Sequence, residues 1–278
     1  LVKWTNHLIP FIIPDSDVFA SLIQHRSFIL THAVADLRRR YAGTSMGIVW
    51  NLIHPLAMMA IYVIIFTSFF GGRMAGIDSD YAYALYICSG FFPWIAWTEC
   101  LGRGAVAFSS NAAYLRKLPI PEEIFVAQGA ASAGLTLVIS FALLMLASIP
   151  MGIAPAWTWV LIPIPLVLLL LCGLGLGMIL GTLNVFFTDV AQLLGIALQV
   201  LFWLAPVILM REHLPAWLGS AMAFHPVTPA LEAIRDVYLR GQLPAAWTWP
   251  AMAGWAAATL VGGTLVLRAL RAEIRDVI

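Results

Sequence analysis

The chain has 278 residues, of which 62% are hydrophobic and only 10% charged, whereas a soluble domain averages about a quarter charged residues and under half apolar ones. That balance excludes an ordinary water-soluble globule, and the length suits several spans of ~20 residues joined by short connections. A formal net charge of +1 says little as a total, so the distribution of charge has to carry the argument.

The first residues, "LVKWTNHLIPFIIPDSD", hold a short apolar piece broken by Pro10 and Pro14 and lack the long apolar core of a signal peptide. Residues 16–41 are predicted to form a helix. Phe19, Leu22, Ile23, Leu30, Ala33, Val34, Leu37 and Tyr41 recur on one face, behind Asp15, Ser16 or Asp17 as N-cap. Gln24, Thr31, His32 and Arg39 occupy the other face. Arg26 interrupts the stripe, but a long cationic side chain buries its stem and lifts its head to water. Too polar to span, the segment is expected to lie in the membrane interface. It ends in Arg38, Arg39, Arg40 and Tyr41, directly before the first long apolar run.

Six runs are long and apolar enough to cross: 47–70, 83–101, 124–149, 159–185, 190–210 and 249–267. The fold class is therefore all-α, a single polytopic transmembrane domain over 1–278. Pro163 and Pro165 sit near the start of the fourth run, where a kink is tolerable. With the N-terminus inside, eleven of the fifteen basic residues fall in inner segments: Lys3, Arg26, Arg38 to Arg40, Arg103, Arg116, Lys117, Arg268, Arg271 and Arg275. Arg73, Arg211, Arg235 and Arg240 fall outside. The positive-inside rule puts both termini in the cytoplasm.

Two connections are longer than a plain loop needs. At 106–120, Asn111, Tyr114, Arg116 and Lys117 form a small basic element that Pro119 and Pro121 terminate, read as a short helix offered to a cytoplasmic partner. Glu122 and Glu123 follow at the start of the third span, where acids favour a helix N-terminus. At 211–248 a broken, partly apolar segment is read as short re-entrant helices packed on protein at the outer side. Asp236 and Arg240 lie four apart there and can pair, although surface pairs contribute little.

Catalytic constellations are missing: no GxxxxGK[ST], HExxH or DDxxD pattern occurs. Cys88, Cys100 and Cys172 lie in apolar runs and read as buried thiols. The six histidines are scattered, His25 and His32 being read as solvated polar residues rather than metal ligands. "GLGLGMILG" sits inside the fourth span, where Gly173, Gly177 and Gly181 form a small-residue stripe for close helix packing. Glu99 is expected to pair with Arg103 one turn on. Trp157, Trp159, Trp247 and Trp249 fall at outer edges as interfacial anchors. Trp94, Trp97 and Trp203 are predicted deeper, where aromatic faces suit either packing or sugar rings.

In order, "RRRYAGTSMGIVWNLIHPL", "SGFFPWIAWTECLGRG", "NAAYLRKLPIPEEIF" and "HPVTPALEAIRDVYLRGQLP" resemble the membrane subunit of ABC-2 type polysaccharide exporters. The resemblance covers nearly the whole chain. It implies an exporter of lipid-linked O-antigen, teichoic acid or capsule chains in the inner (plasma) membrane, working as a homodimer with two separate ABC ATPase subunits. Those subunits would bind ATP and Mg, this chain holding no cofactor, no catalytic residue and no metal. On this chain it implies a lipid-headgroup gate at Arg38, Arg39, Arg40 and Tyr41. A coupling element falls at Asn111, Tyr114, Arg116 and Lys117, and a glycan path at Trp50, Trp94 and Trp97. Membrane lipids are expected partners and nucleic acid is not. An ABC-2 permease for a drug or lipid is the nearest alternative, and a polytopic transferase a more distant one.

Overall fold

A computed structural model describes residues 18–70, 77, 79–118, 120–210 and 215–278. Expectations for Lys3, the candidate N-caps Asp15, Ser16 and Asp17, and for Arg73, Pro119 and Arg211 lie outside the described residues. Regular structure among the described residues is helical, with no β-strand. The chain is a multi-pass, all-α membrane protein.

Helices α1 (Val18–Gln24) and α2 (Arg26–Arg40), interrupted at His25, come first. A 3₁₀ turn, Gly47–Val49, leads into α3 (Trp50–Phe70), and Gly43 and Gly47 supply the positive φ angles of that tight connection. Next come α4 (Ala82–Ala105), α5 (Ala107–Ser110), α6 (Ala112–Lys117) and α7 (Glu123–Ser148). A second 3₁₀ turn, Trp157–Leu161, precedes α8 (Pro163–Phe186), which starts where proline is tolerated rather than kinking there. The remainder is α9 (Val190–Leu204), α10 (Ala216–Ala223), α11 (Thr228–Tyr238), α12 (Thr248–Ala269) and α13 (Arg271–Val277).

Among the described residues, four helical stretches are long and apolar enough to cross a bilayer: Gly47–Ser68, Glu123–Ser148, Trp157–Phe186 and Thr248–Ala269. Helix α4 has the length but is more polar, carrying Ser89, Thr98, Glu99 and Arg103. The fifth apolar run, 190–210, is helical only to Leu204. Pro206 explains the stop: a residue before proline is driven out of the α region, and Ala205 is extended at ψ 142°.

Helix α8 is the centre of the bundle, with its most extensive contacts to α12 and α4. Glycines set both distances. A Cβ on Gly181 would stand 2.5 Å from the Gly104 carbonyl of α4, and one on Gly177 would meet Val126 at 3.1 Å and Gly104 at 3.3 Å. A Cβ on Gly173 would stand 3.0 Å from the Cys100 sulfur. A second glycine face, unanticipated from sequence, turns towards α12: a Cβ on Gly175 would collide with the backbone of Thr259 and Leu260, and one on Gly263 with the Gly175 carbonyl. In lipid, where apolar surface has no water to escape, such close contact is what holds helices together.

The apolar stripe of α1 and α2 is divided, not shared as the sequence suggested. Ala33 and Leu37 turn inward with Val18 and Ile29, and α2 packs along α7. Phe19, Ile23, Leu30 and Val34 remain exposed. The predicted face was wide enough to serve two surfaces, and the inner one includes Asp36, a residue that hydrophobic periodicity does not select.

The two glycine classes give a direct comparison. Gly175→Ala should cost about 1–3 kcal/mol, as overpacking does. Gly254→Ala, with nothing within 4 Å of its Cβ, should be neutral or stabilising by up to about 1 kcal/mol. Thermal unfolding of the two variants in one detergent tests this; equal midpoints would remove the close-contact explanation.

Candidate functional site

Charged side chains gather at the two ends of the bundle. At the arginine-rich end, three helices are joined through one network. Arg103 of α4 donates from Nε to Glu99 Oε1 at 2.8 Å and from Nη1 to Asp36 Oδ2 of α2 at 2.7 Å. Ser132 of α7 donates its hydroxyl to the same Asp36 oxygen at 2.7 Å, and Arg40 also pairs with Glu99. Burial opposes ionisation of Asp36, but the Ser132 hydrogen bond and the Arg103 and Arg40 charges outweigh it, holding its carboxyl below the ordinary 3.8. The Glu99–Arg103 pair is readable at one-turn spacing. Asp36 and Arg40 are not, being distant in sequence.

The arginine triplet divides its work. Arg40 is committed to Glu99 and, with Tyr41, Asn51 and His54, borders a cavity of about 190 Å³ between α3, α4 and α7. Arg38 and Arg39 point the other way. With Phe28, His32, Asn111 and Tyr114 they line an open groove of about 600 Å³ between α2 and α6. His25 and His32 each donate Nδ1–H to a carbonyl one turn back, at 2.9 Å.

Helix α6 is anchored by buried Leu115, while Tyr114, Arg116 and Lys117 face outward. Asn111 holds its start, donating its amide to the Ala107 carbonyl at 2.8 Å. Beside α6 lies α13, with Leu115, Arg116, Ile274, Arg275 and Ile278 around a shared cleft. Glu122 and Glu123 are fully buried and are neutralised by α13 and the residue that opens it. Arg271 contacts Glu123 at 2.7 Å and Glu122 at 3.1 Å, and Arg275 contacts Glu122 at 2.6 Å. Sequence reasoning placed these acids at a helix N-terminus but missed their partners, about 150 residues away.

Of the three tryptophans assigned to a glycan path, only Trp50 presents its ring outward, at 37% exposure. Trp94 and Trp97 are buried in this chain's own core, their rings 5.5 Å apart, with Phe202 5.6 Å from Trp94 and His225 near both. Trp203, on α9, is 61% exposed. The cysteines are free and buried.

The opposite end is built on Arg235, which sequence reasoning counted only as one of the outer basic residues. It is 3% exposed on α11. Nη1 donates to the Pro206 carbonyl at 2.6 Å and to the Tyr86 hydroxyl at 2.9 Å. Nη2 donates to the carbonyls of Val207 at 2.9 Å and Tyr86 at 3.3 Å. Its guanidinium also lies over the Tyr86 ring, 3.5 Å from the centroid. One side chain thus satisfies the carbonyls left bare where α9 ends and ties α11 to α4. The available signal was its position among the apolar residues Leu231, Ile234 and Tyr238 of a short amphipathic helix. Next to it, Arg240 donates to Asp236 at 2.8 Å, in the pair expected from spacing.

Most of these elements, from Ile29 in α2 through α11, fall within one family pattern: the sequence profile described as ABC-2 type transporter matches residues 29–239. The chain belongs to the ABC-2 type transporter family. It is similar to the O-antigen export system permease protein RfbA of Myxococcus xanthus, 23% identical over 257 residues that cover 92% of this chain and 96% of the relative. It is also similar to the O-antigen export system permease protein RfbA of Klebsiella pneumoniae, 22% identical over 210 residues covering 75% and 78%. As an ABC-2 family member the chain is a transport component.

Two outcomes follow for this ABC-2 chain. A carboxyl held below its ordinary pKa stabilises the fold above pH 3.8, and that contribution disappears as pH falls through the lowered value. The stability gap between wild type and Asp36→Asn should therefore be constant from neutral pH to about pH 5 and close below 3.8; a gap widening in acid would exclude the ion-pair explanation. Arg235→Lys replaces a four-acceptor fork with a compact ammonium. It should lower stability by about 1–3 kcal/mol through an unsatisfied buried carbonyl, seen as an earlier thermal midpoint in lipid nanodiscs.

Proposed function

We propose that the chain is the permease subunit of an ATP-driven exporter that carries a lipid-linked polysaccharide across the inner (plasma) membrane. The observation that carries this reading is the near end-to-end similarity to an O-antigen export permease, covering 92% of this chain and 96% of the relative. In the proposed topology α4 and α9 also cross, giving six spans, and the arginine-rich end faces the cytoplasm together with both termini.

The exposed faces support a homodimer. Helix α9 has no buried residue and displays Gln192, Leu193, Ile196, Gln199, Val200 and Trp203. Glutamines displayed on an apolar helix suit protein or a water-filled path better than lipid tails. Helix α3 likewise displays Leu52, Leu56, Ile61 and Ile64. Two copies meeting along these faces would enclose a path with Trp50 at its mouth and Trp203 along its wall. Trp94 and Trp97 stiffen that wall from behind.

On the cytoplasmic side, α6 offers Tyr114, Arg116 and Lys117 to an ABC ATPase, which would bind the ATP and Mg. Movement delivered to α6 reaches α7 and α13 through the Glu122, Glu123, Arg271 and Arg275 pairs. Arg38 and Arg39 suit a lipid phosphate or pyrophosphate, since guanidinium forks bind such oxygens in bidentate fashion. Arg40 instead fixes the end of α2.

Coexpression with a cognate ABC ATPase in a host lacking its own polysaccharide permease tests the reading: surface polysaccharide should return, and its absence with both proteins inserted would reject it. Within that assay, Arg116→Glu with Lys117→Glu should lower export roughly fivefold or more, the lower range for coupled sites. Unchanged export would take α6 out of the coupling path.

A further inference from the structure

We propose that the end of the bundle opposite the arginine triplet carries a saccharide-binding site, a cavity that holds a few linked sugar rings of the exported chain. The inference rests on the polysaccharide reading above and adds a place where the polymer is held. The cavity measures about 560 Å³, within the range of pockets that take small organic ligands. Its wall comes from α11 and the segment leading to α12, where Arg240, Gln242 and Leu243 are exposed.

The chemistry of the wall selects the ligand class. Glu232 and Asp236 are matched in number by Arg235 and Arg240, so the four lining charges sum to zero and favour neither a phosphate nor a metal cation by net charge. What remains is a close alternation of hydrogen-bond donors and acceptors, completed by the Gln242 amide, which offers both. That pattern matches hydroxyl groups, each of which donates and accepts. Met210 and Leu243 add apolar surface against which the C–H face of a sugar ring can rest.

A second observation points the same way. Arg235 borders the cavity and is 3% exposed, and its Nη atoms are fully engaged with Tyr86, Pro206 and Val207. Its Nε–H has no hydrogen-bond partner among the described residues. A buried donor without an acceptor costs roughly 1–3 kcal/mol, and a ligand hydroxyl in the cavity would relieve it. The surrounding loop is shaped in advance: the Gln242 backbone N–H donates to the Asp236 backbone carbonyl at 3.0 Å, and the Asp236 carboxylate is held by Arg240 at 2.8 Å.

The test uses the chain with its ATPase partner in lipid nanodiscs and neutral trisaccharides of mannose, rhamnose and galactose, followed by saturation-transfer difference NMR. Saturation transfer to at least one trisaccharide is expected, lost in the Glu232→Gln, Gln242→Ala double variant and unaffected by inorganic phosphate. Leu243→Asp, on the exposed rim, is the second variant should the first lower the thermal midpoint, and it should weaken the signal. No transfer to any trisaccharide, a signal retained in the variants, or displacement by phosphate would each overturn the site. Export by the wild-type pair in cells is scored in parallel. Export without saccharide binding sinks this inference and leaves the polysaccharide reading standing. Loss of export sinks the reading itself.

Discussion

Backbone contact between α8 and its two neighbours is the constraint from which the remaining geometry follows. Gly177 and Gly181 let α8 lie against Gly104 of α4, and Gly175 and Gly263 let it lie against α12. Inside a bilayer, packing and polar contacts rather than release of apolar surface from water decide which helices touch. Once α4 is fixed against α8, both of its ends are fixed too. One end presents Glu99 and Arg103 to α2, and the other presents Tyr86 to Arg235. The functional ends of this ABC-2 chain are thus set by a glycine seam in its middle.

Charge in this protein acts mainly as a fastener. Asp36, Glu99, Arg103 and Arg40 hold the N-terminal helix onto α4 and α7, while Glu122 and Glu123 receive Arg271 and Arg275. Removing one partner of a buried pair strands the other, which is far more costly than never having had the pair. The Glu122–Arg275 pair of this set lies next to α6, whose Leu115 and Arg116 share a cleft with Arg275. The arginines left outside the network, Arg38 and Arg39, are the ones that face an open groove.

At the other end the problem is bare backbone. Pro206 breaks α9, and buried carbonyls left without helical partners need other donors. Arg235 supplies them from α11. Helix α11 is therefore built into the bundle. The fifth apolar run looked continuous because Val207, Ile208, Leu209 and Met210 are as apolar as the helix before them, and hydropathy does not register a change of backbone conformation.

By itself, the sequence determined that the protein is helical and membrane-embedded, which end of the bundle collects positive charge, and that a basic element lies between the second and third apolar runs. Those properties depend on composition and on periodicity within one segment, and both are local. Glu99 with Arg103 and Asp236 with Arg240 were legible for the same reason, each pair being one helical turn apart. Only the tertiary structure decided that Arg40 is spent on Glu99, that Trp94 and Trp97 are interior, that the amphipathic helix has two apolar faces, and that Arg235 is a buried clamp. Each of these depends on partners tens to more than a hundred residues away, and a linear pattern contains no record of which distant segments the glycine seam brings together.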